Sequence, residues 1–482
     1  MDRLHHRWAA LALLCLAQFM LIVDVTGMNL ALPSIARDLD LGRAGLTWVA
    51  AAYTLCFGGL LLLGGRLADG LGRRRAFLIG LAAFTLASLI SGVAHSGGQL
   101  IAGRAVQGVA AALLSPAALS IITTSFHGPE RTKALGVWGA IAGGGAAVGV
   151  LVGGALTSGP GWRWVFFVNL PVGVAVAVLL PRLVPASLPA RVLRDVDVPG
   201  ALAATTTVGL VVYGLIHAGS DGWATMWTLV PLGGAVIGVG VLVAVERRAV
   251  DPLLRPGVVL ERSVVAGTVV MFAATVVLIT GFFLVSWYLQ HRAGYSALKT
   301  GLVYVPVAVA TGLGAHGASR MIGGAGAGAS AGVGARLGFR GTAAVGFALA
   351  ALGAGLLTRV PASGNAVVGV LPGFVVLSAG IGMVLVTATT VAMHRVGGEE
   401  ATAGVVSGVV NTGHELGSAL GVAVASILAA ASIGPAGGGV GGFHTAFGVM
   451  VGVAVVAGVG VLRGLPAGRV EVGTGAGAVF MH

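Results

Sequence analysis

The sequence predicts an all-helical membrane protein, and three features of its 482 residues support that fold class. Hydrophobic residues make up 56% of the chain and charged residues only 9%, whereas a soluble domain carries about 25% charged residues. The mean hydropathy is +0.98. Apolar runs of roughly 20 residues recur along the chain, which is the length that a helix needs to cross a bilayer core.

The apolar runs predict fourteen membrane-spanning helices in groups of six, two and six. The first run is too long for the core of a signal peptide, so we interpret it as a retained span. The expected spans are 8–32, 46–63, 76–94, 100–123, 134–156, 164–180, 200–216, 226–245, 263–289, 300–318, 342–357, 366–388, 402–431 and 443–462.

These groups predict four regions of the chain. They are an N-terminal six-helix half (1–181), a linker with two extra helices (182–262), a C-terminal six-helix half (263–463) and a cytoplasmic tail (464–482). Within the polar linker, Asp197 is placed to cap the helix that follows it. The low-complexity stretch 323–334 is either a flexible loop or an extension of the preceding helix.

The charge distribution predicts an orientation and excludes several classes of protein. Most of the 28 Lys and Arg residues fall in segments on the side of the N-terminus, so we expect both ends in the cytoplasm. The net charge of +12 is spread over short loops, unlike a nucleic-acid-binding face. Cys15 and Cys56 lie in apolar runs, and His5 and His6 lie in a terminal tail, so we expect no metal site. A phosphate-binding loop is absent, and we expect a protein that is not an enzyme and needs no cofactor.

Three charged residues fall well inside predicted spans: Asp24, Arg104 and Glu415. A charge at mid-bilayer costs about 2.5 to 3.5 kcal/mol, so each should face the protein interior or a water-filled cavity. Asp24, in LIVDVTGMNLALP, is a candidate for exchanging protons as the access of water changes. The alternative is a structural role, in which neighbouring Thr or Asn side chains bind a buried carboxyl group.

Arg104, in LIAGRAVQGVAAA, shares a helix face with Gln107 and Gly108. Because a guanidinium keeps its proton, Arg104 would orient a carboxylate or water; the alternative is that its side chain extends to the lipid headgroups. Glu415 shares a face with Asn411, whereas His414 points about 100° away. For Glu415 and His414, the alternative is a packing role.

The segment GGRLADGLGRRRAFL (64–78), between the second and third spans, resembles the loop signature of the major facilitator superfamily. Its glycines suit a tight turn and close helix packing, and the acid can pair with an arginine or face a helix N-terminus. A purely basic cytoplasmic loop would explain the arginines but not the acid and the glycines. The residues of the resemblance are Gly65, Asp69, Gly72, Arg73, Arg74 and Arg75.

Three further segments are similar to the fourteen-helix drug:proton antiporter branch of that superfamily. The first is LIVDVTGMNLALP, through Asp24, Asn29 and Pro33, and the second is LIAGRAVQGVAAA. The third is WRWVFFVNLPVG (162–173), whose Trp162 and Trp164 we expect in the outer aromatic belt.

The fifth span, GAIAGGGAAVGVLVGGAL (139–156), matches the antiporter branch only in part. Val150 stands where the branch has a proline, so the proline kink is missing, and the direction of transport stays open. His414 and Glu415 also stand where the branch has Arg and Gln. Three of the retained glycines repeat every fourth residue, which favours close approach of another helix. The retained glycines are Gly143, Gly145, Gly149, Gly153 and Gly154.

The resemblance implies two pseudosymmetric halves around a central substrate site, with the two extra helices packed outside that frame. It also implies a monomeric exporter of amphipathic or cationic small molecules in a bacterial plasma membrane, driven by the proton gradient. A proton-coupled importer and a non-transporting membrane sensor are the alternatives. The candidate proton and substrate residues are Asp24, Asn29, Arg104, Gln107 and Glu415, and the candidate gating residues are the loop residues Gly65, Asp69, Gly72, Arg73 and Arg74 with the five glycines of the fifth span.

Overall fold

The computed structural model describes residues 2–126, 128–185, 197–249, 256–322, 337–361, 365–393, 400–428 and 439–465. This part of the chain is helical and contains no strand. A π-helical turn, Tyr288–Arg292, extends α11. The helices are α1 (Asp2–Asp38), α2 (Arg43–Leu71), α3 (Arg73–Gly92), α4 (Gly97–Ser125), α5 (Gly128–Ser158), α6 (Trp164–Phe167), α7 (Asn169–Leu183), α8 (Val198–Asp221), α9 (Met226–Glu246), α10 (Pro256–Val259), α11 (Arg262–Trp287), α12 (Ala297–Ile322), α13 (Gly338–Leu357), α14 (Ala366–Met393), α15 (Glu400–Leu428) and α16 (Gly441–Gly464).

Within the described residues, 11 helices are long and apolar enough to cross a membrane. Two shorter apolar helices, Trp48–Leu61 and Val148–Ser158, lie within α2 and α5. The prediction of an all-helical membrane protein is therefore confirmed. The count of fourteen spans and the cytoplasmic location of both ends stay predictions.

The apolar cores divide between the two ends of the sequence. One cluster is built from α1 to α5 and α7, around Phe77, Phe84 and Leu114. A second cluster is built from α11 to α16, around Phe339, Phe347 and Phe374. Leu30 and Val150 join the second cluster, and they mark where α1 and α5 pack against the C-terminal helices.

Equivalent arginine contacts appear in the two helix groups. Arg74, at the start of α3, donates from Nη1 to the carbonyl oxygen of Val184 at 2.9 Å, just after α7. Arg340, at the start of α13, donates from Nε to the carbonyl oxygen of Leu465, just after α16. A cationic donor suits the unpaired carbonyl groups at a helix C-terminus. The repeated contact supports the pseudosymmetry that the sequence resemblance implied.

The glycines of α5 lie against other helices on two of its sides. A Cβ at Gly153 would overlap the Cα of Gly27 in α1, and one at Gly149 would overlap the Thr26 side chain. On the other side, a Cβ at Gly154 would lie 2.9 Å from the carbonyl oxygen of Ala297 in α12. These glycines therefore allow close packing both within the N-terminal helices and between the two groups.

The position of the extra helices differs from the expectation. Helix α9 exposes most of its surface, as a peripheral helix should, but α8 lies between α2 and α15. The Thr205 hydroxyl of α8 donates to the carbonyl oxygen of Gly59 in α2 at 2.7 Å. The prediction that both helices pack outside the two-half frame is therefore wrong for α8.

Several smaller predictions can be compared with the structure. Asp197 caps α8, since its Oδ1 accepts a hydrogen bond from the Gly200 N–H at 2.9 Å. Cys15 and Cys56 are free thiols. Trp164 is half exposed, whereas Trp162 is buried and its Nε1 donates to Asp38 at 3.0 Å. The location of both tryptophans in the outer aromatic belt stays a prediction. The stretch 323–334 and residues 466–482 of the predicted tail lie outside the described residues.

The glycine contact between α1 and α5 gives a stability prediction. We expect Gly153→Ala to lower the melting temperature of the purified protein, because overpacking against a backbone atom costs about 1 to 3 kcal/mol. Gly233→Ala in α9 is the matched control, since no atom lies within 4 Å of its added Cβ. The control should melt at or slightly above the wild-type temperature. Equal melting of the two variants would contradict the packing described here.

Candidate functional site

An ion pair lies buried inside the N-terminal helices. Arg104 of α4 donates from Nη1 to Oδ2 of Asp24 in α1, although the two residues are 80 positions apart in sequence. Their side chains are 1% and 0% exposed. This burial excludes the alternative in which Arg104 extends to the lipid headgroups, and each charge partly neutralises the other.

The second carboxylate oxygen of Asp24 is held by two amides. Gln107 donates from Nε2 to Oδ1 at 2.9 Å, and Asn169 donates from Nδ2 to the same atom at 2.8 Å. The Oε1 of Gln107 in turn accepts a hydrogen bond from Arg104 at 3.0 Å. The Ser88 hydroxyl lies 2.9 Å from the Gln107 amide and 3.2 Å from the Asn169 amide. We call these five residues the Asp24 network; it joins α1, α3, α4 and α7.

Sequence reasoning identified three members of the Asp24 network and missed two. Asn169, in the segment WRWVFFVNLPVG, is an amide at the start of an apolar run. The rule that selected the charged residues, a polar group placed in an apolar run, would have selected this amide as well. Ser88 gave no comparable signal, because a hydroxyl in a span is commonly satisfied by its own helix. Its hydroxyl does donate to the carbonyl oxygen of Phe84 at 2.9 Å, and the lone pairs face the network.

A cavity of about 270 Å³ lies beside the Asp24 network. Arg104 and Tyr53 line it, whereas Asp24 does not, so the arginine and the tyrosine stand between the carboxylate and the cavity. The Arg104 guanidinium carbon lies 4.5 Å from the centre of the Tyr53 ring, within the range of a cation–π interaction. Tyr53 is a site residue that the sequence analysis missed.

The other predicted substrate residues also line this cavity. Asn29 does so from α1, without joining the Asp24 network. His414 and Glu415 line it from α15, and their side chains lie 3.2 Å apart, although the helix geometry predicted divergent directions. Glu415 faces α2, where a Cβ at Gly58 would lie 2.9 Å from the Glu415 Cβ. Asn411 is exposed instead. The cavity thus has one cationic and one acidic wall.

The predicted gating residues lie at two places. Gly72 joins α2 to α3 with a φ of 88°, a conformation that favours glycine. Gly65 is close to Pro116 of α4, and Arg73 is half-buried at the start of α3. The side chain of Asp69 and the surroundings of Gly143 lie outside what the structure describes. Their roles in gating stay predictions.

Membrane-length helices in two similar groups, with a buried ion pair beside a central cavity, are the architecture of a membrane transporter. The chain belongs to the major facilitator superfamily, since the family model named Major Facilitator Superfamily matches residues 14–422.

Several bacterial antibiotic-resistance and export proteins are similar to the chain. A puromycin resistance protein of Streptomyces alboniger is 41% identical, over 85% of this chain and 79% of that protein. A lincomycin resistance protein of Streptomyces lincolnensis is 33% identical, over 86% and 82% respectively. A cephamycin export protein of Amycolatopsis lactamdurans is 43% identical, over 62% of each chain. With the described spans, these relatives indicate a multi-pass protein of a bacterial plasma membrane.

Solved structures share the fold at low sequence identity. A POT family transporter gives a TM-score of 0.67 at 14% identity, over 94% of this chain and 95% of the other. A human organic anion transporter gives 0.57 at 15% identity, over 95% and 98%. At such identities, the likeness shows the fold alone.

The Asp24–Arg104 ion pair predicts strong coupling in a double-mutant cycle. Asp24→Asn leaves a buried arginine charge without its partner, which costs about 3 to 5 kcal/mol, so the single variant should lose much stability. The double variant Asp24→Asn/Arg104→Gln should lose clearly less than the sum of the two single losses. The free energies of unfolding of the four proteins in detergent measure the coupling.

A second Asp–Arg pair, between the end of α1 and the residue before α6, serves as the control. Asp38 and Arg163 are 46% and 33% exposed, and exposed pairs contribute about 0 to 1 kcal/mol. Additive losses at Asp24 and Arg104, no more coupled than those at Asp38 and Arg163, would contradict a buried ion pair.

Proposed function

We propose that the protein exports amphipathic or cationic small molecules, antibiotics among them, in exchange for protons. The observation that carries the proposal is the Asp24–Arg104 ion pair, which is buried beside the central cavity. The names of the relatives, which include resistance and export proteins, support outward transport of antibiotics. Proton coupling rests on the chemistry of the pair.

Coupling follows from the unequal proton chemistry of the two partners. Asp24 can bind a proton, whereas Arg104 keeps its charge under all physiological conditions. When Asp24 is ionised, the pair has no net charge beside the cavity. When Asp24 takes up a proton, the positive charge of Arg104 is no longer compensated, and Arg104 lines the cavity wall.

The change in the net charge of the ion pair acts on a substrate bound in the cavity. With Asp24 ionised, the acidic wall at Glu415 favours a cationic guest, because attraction between charges is strong where water is scarce. With Asp24 protonated, the uncompensated Arg104 repels the same guest. Proton uptake on the outer side would therefore release the substrate, and loss of the proton to the cytoplasm would allow the next one to bind.

The amides of the Asp24 network position the carboxylate for this exchange. Gln107 and Asn169 both donate to Oδ1, which leaves Oδ2 to Arg104. A carboxyl group held in this way changes its protonation without losing its place among four helices. The Nε–H of Arg104 has no hydrogen-bond partner among the described residues, so this donor is available to water or substrate when the arginine is released.

Alternating access would come from rocking of the two helix groups about the close contact between α5 and α12. In this scheme the glycines of α5 permit sliding, and Asp69 with Arg73 and Arg74 latches the cytoplasmic ends. We place fourteen spans across the membrane, with both ends in the cytoplasm and one chain as the transporting unit: α6 and α7 form one span, and α10 forms none.

Replacing the acid tests the coupling directly. We expect Asp24→Asn to reduce gradient-driven ethidium efflux from cells to the rate seen with a protonophore, because the amide cannot bind the exchanged proton. Because the neutral amide resembles the protonated acid, the same variant should also bind ethidium more weakly, and a single symmetric peak in size-exclusion chromatography of the purified protein shows that it is folded. Asp38→Asn, at the exposed pair, should retain full efflux. Wild-type rates of active efflux in Asp24→Asn would end the proposed mechanism.

The direction of transport has its own test, because Val150 replaces the proline of the antiporter branch. In inside-out membrane vesicles with an acidic lumen, an exporter should accumulate ethidium, and a protonophore should abolish the accumulation. A proton-coupled importer would not accumulate the dye under this gradient. A non-transporting sensor would show no gradient-dependent movement in either vesicle orientation.

A further inference from the structure

Helix α8, one of the two extra helices, contacts both helix groups that enclose the cavity. On one side it contacts α2 through the hydrogen bond from Thr205 to Gly59. On the other side it contacts α15, where a Cβ at Gly219 would lie 3.0 Å from the Cα of Ala423. Because α2 and α15 belong to opposite groups, α8 bridges the two groups.

One face of α8 forms part of the cavity wall. Val212, Ile216 and Gly219 all line the cavity, and their spacing of four and three residues places them on one side of the helix. The side chains of Val212 and Ile216 are buried and aliphatic. The charged groups on the wall, Arg104 and Glu415, come from α4 and α15. The contribution of α8 is therefore purely apolar.

We propose that this face of α8 determines which substrates fit, with Ile216 setting the size of the apolar group that the cavity accepts. The inference rests on the proposed function, since it takes the cavity to hold the transported molecule. Charge on the walls from the two helix groups selects for a cation, and the aliphatic face of α8 selects for the shape of its apolar part. Gly219 sets the width of the cavity, because it lets α8 lie directly against α15.

Substitutions of opposite size at Ile216 test the inference. The probes are ethidium, which is planar, and tetraphenylphosphonium, which is bulkier, and the measurement is the dissociation constant of each from purified protein in detergent. Ile216→Ala should shift the ratio of the two constants in favour of tetraphenylphosphonium by roughly 10-fold or more, as expected when carbon atoms are removed from an apolar pocket. Ile216→Phe should shift the ratio the other way. A merely destabilised protein would bind both cations less well in both variants.

The control is the same substitution outside the cavity. Ile237 of α9 is 70% exposed, so Ile237→Ala should leave the ratio at its wild-type value. The inference is overturned if the two Ile216 variants leave the ratio unchanged or shift it in the same direction.

Parallel flux measurements separate this inference from the proposed function. If the ratio shifts as expected but wild-type protein moves neither cation against a gradient, the proposed function fails and the role of α8 in binding stands. If transport is proton-driven but the ratio is insensitive to Ile216, only the role of α8 fails. Wild-type protein that binds neither cation would contradict both.

Discussion

The structure depends on one buried ion pair, in which removing either charge would leave the other without a partner at a large cost in free energy. Asp24 and Arg104 are enclosed by protein, and removal from water costs each ion several kcal/mol unless the other ion and further hydrogen bonds offset it. Gln107, on the same helix as Arg104, and Asn169 of α7 supply those bonds, and Ser88 of α3 accepts a hydrogen bond from each amide. The requirement to satisfy one carboxylate therefore fixes the relative positions of α1, α3, α4 and α7. The same requirement keeps a group that can exchange protons next to the cavity.

The sequence was most informative where a residue contradicted its surroundings. A charge in an apolar run is expensive in a bilayer, so Asp24, Arg104 and Glu415 could be selected as site residues without a structure. That Asp24 and Arg104 pair with one another depends on how α1 and α4 pack, which no local pattern records. Asn169 was missed because the rule considered charges only. A buried amide also needs hydrogen-bond partners, although leaving it without them costs less free energy than leaving a charge unpaired.

The spacing of small residues along a helix predicts which face is a contact surface better than it predicts which helix packs there. The four-residue repeat of glycines in α5 indicated a face without side chains, and the structure places α1 against it at Gly149 and Gly153. It gave no reason to expect that Gly154, one position later, faces α12 instead. Trp162 is a second example: its place near a span end gave no reason to expect that its Nε1 donates to Asp38, 124 positions earlier in the chain.

The contacts of α8 with both α2 and α15 determine what would happen if the extra helices were removed. An inserted segment that merely decorated the rim could be excised and the chain rejoined with little harm. Here excision of α8 would remove the Thr205 hydroxyl that donates to the Gly59 carbonyl oxygen and would uncover Ala423, against which Gly219 now packs. A chain without α8 would therefore need larger side chains on α2 and α15 to cover these surfaces.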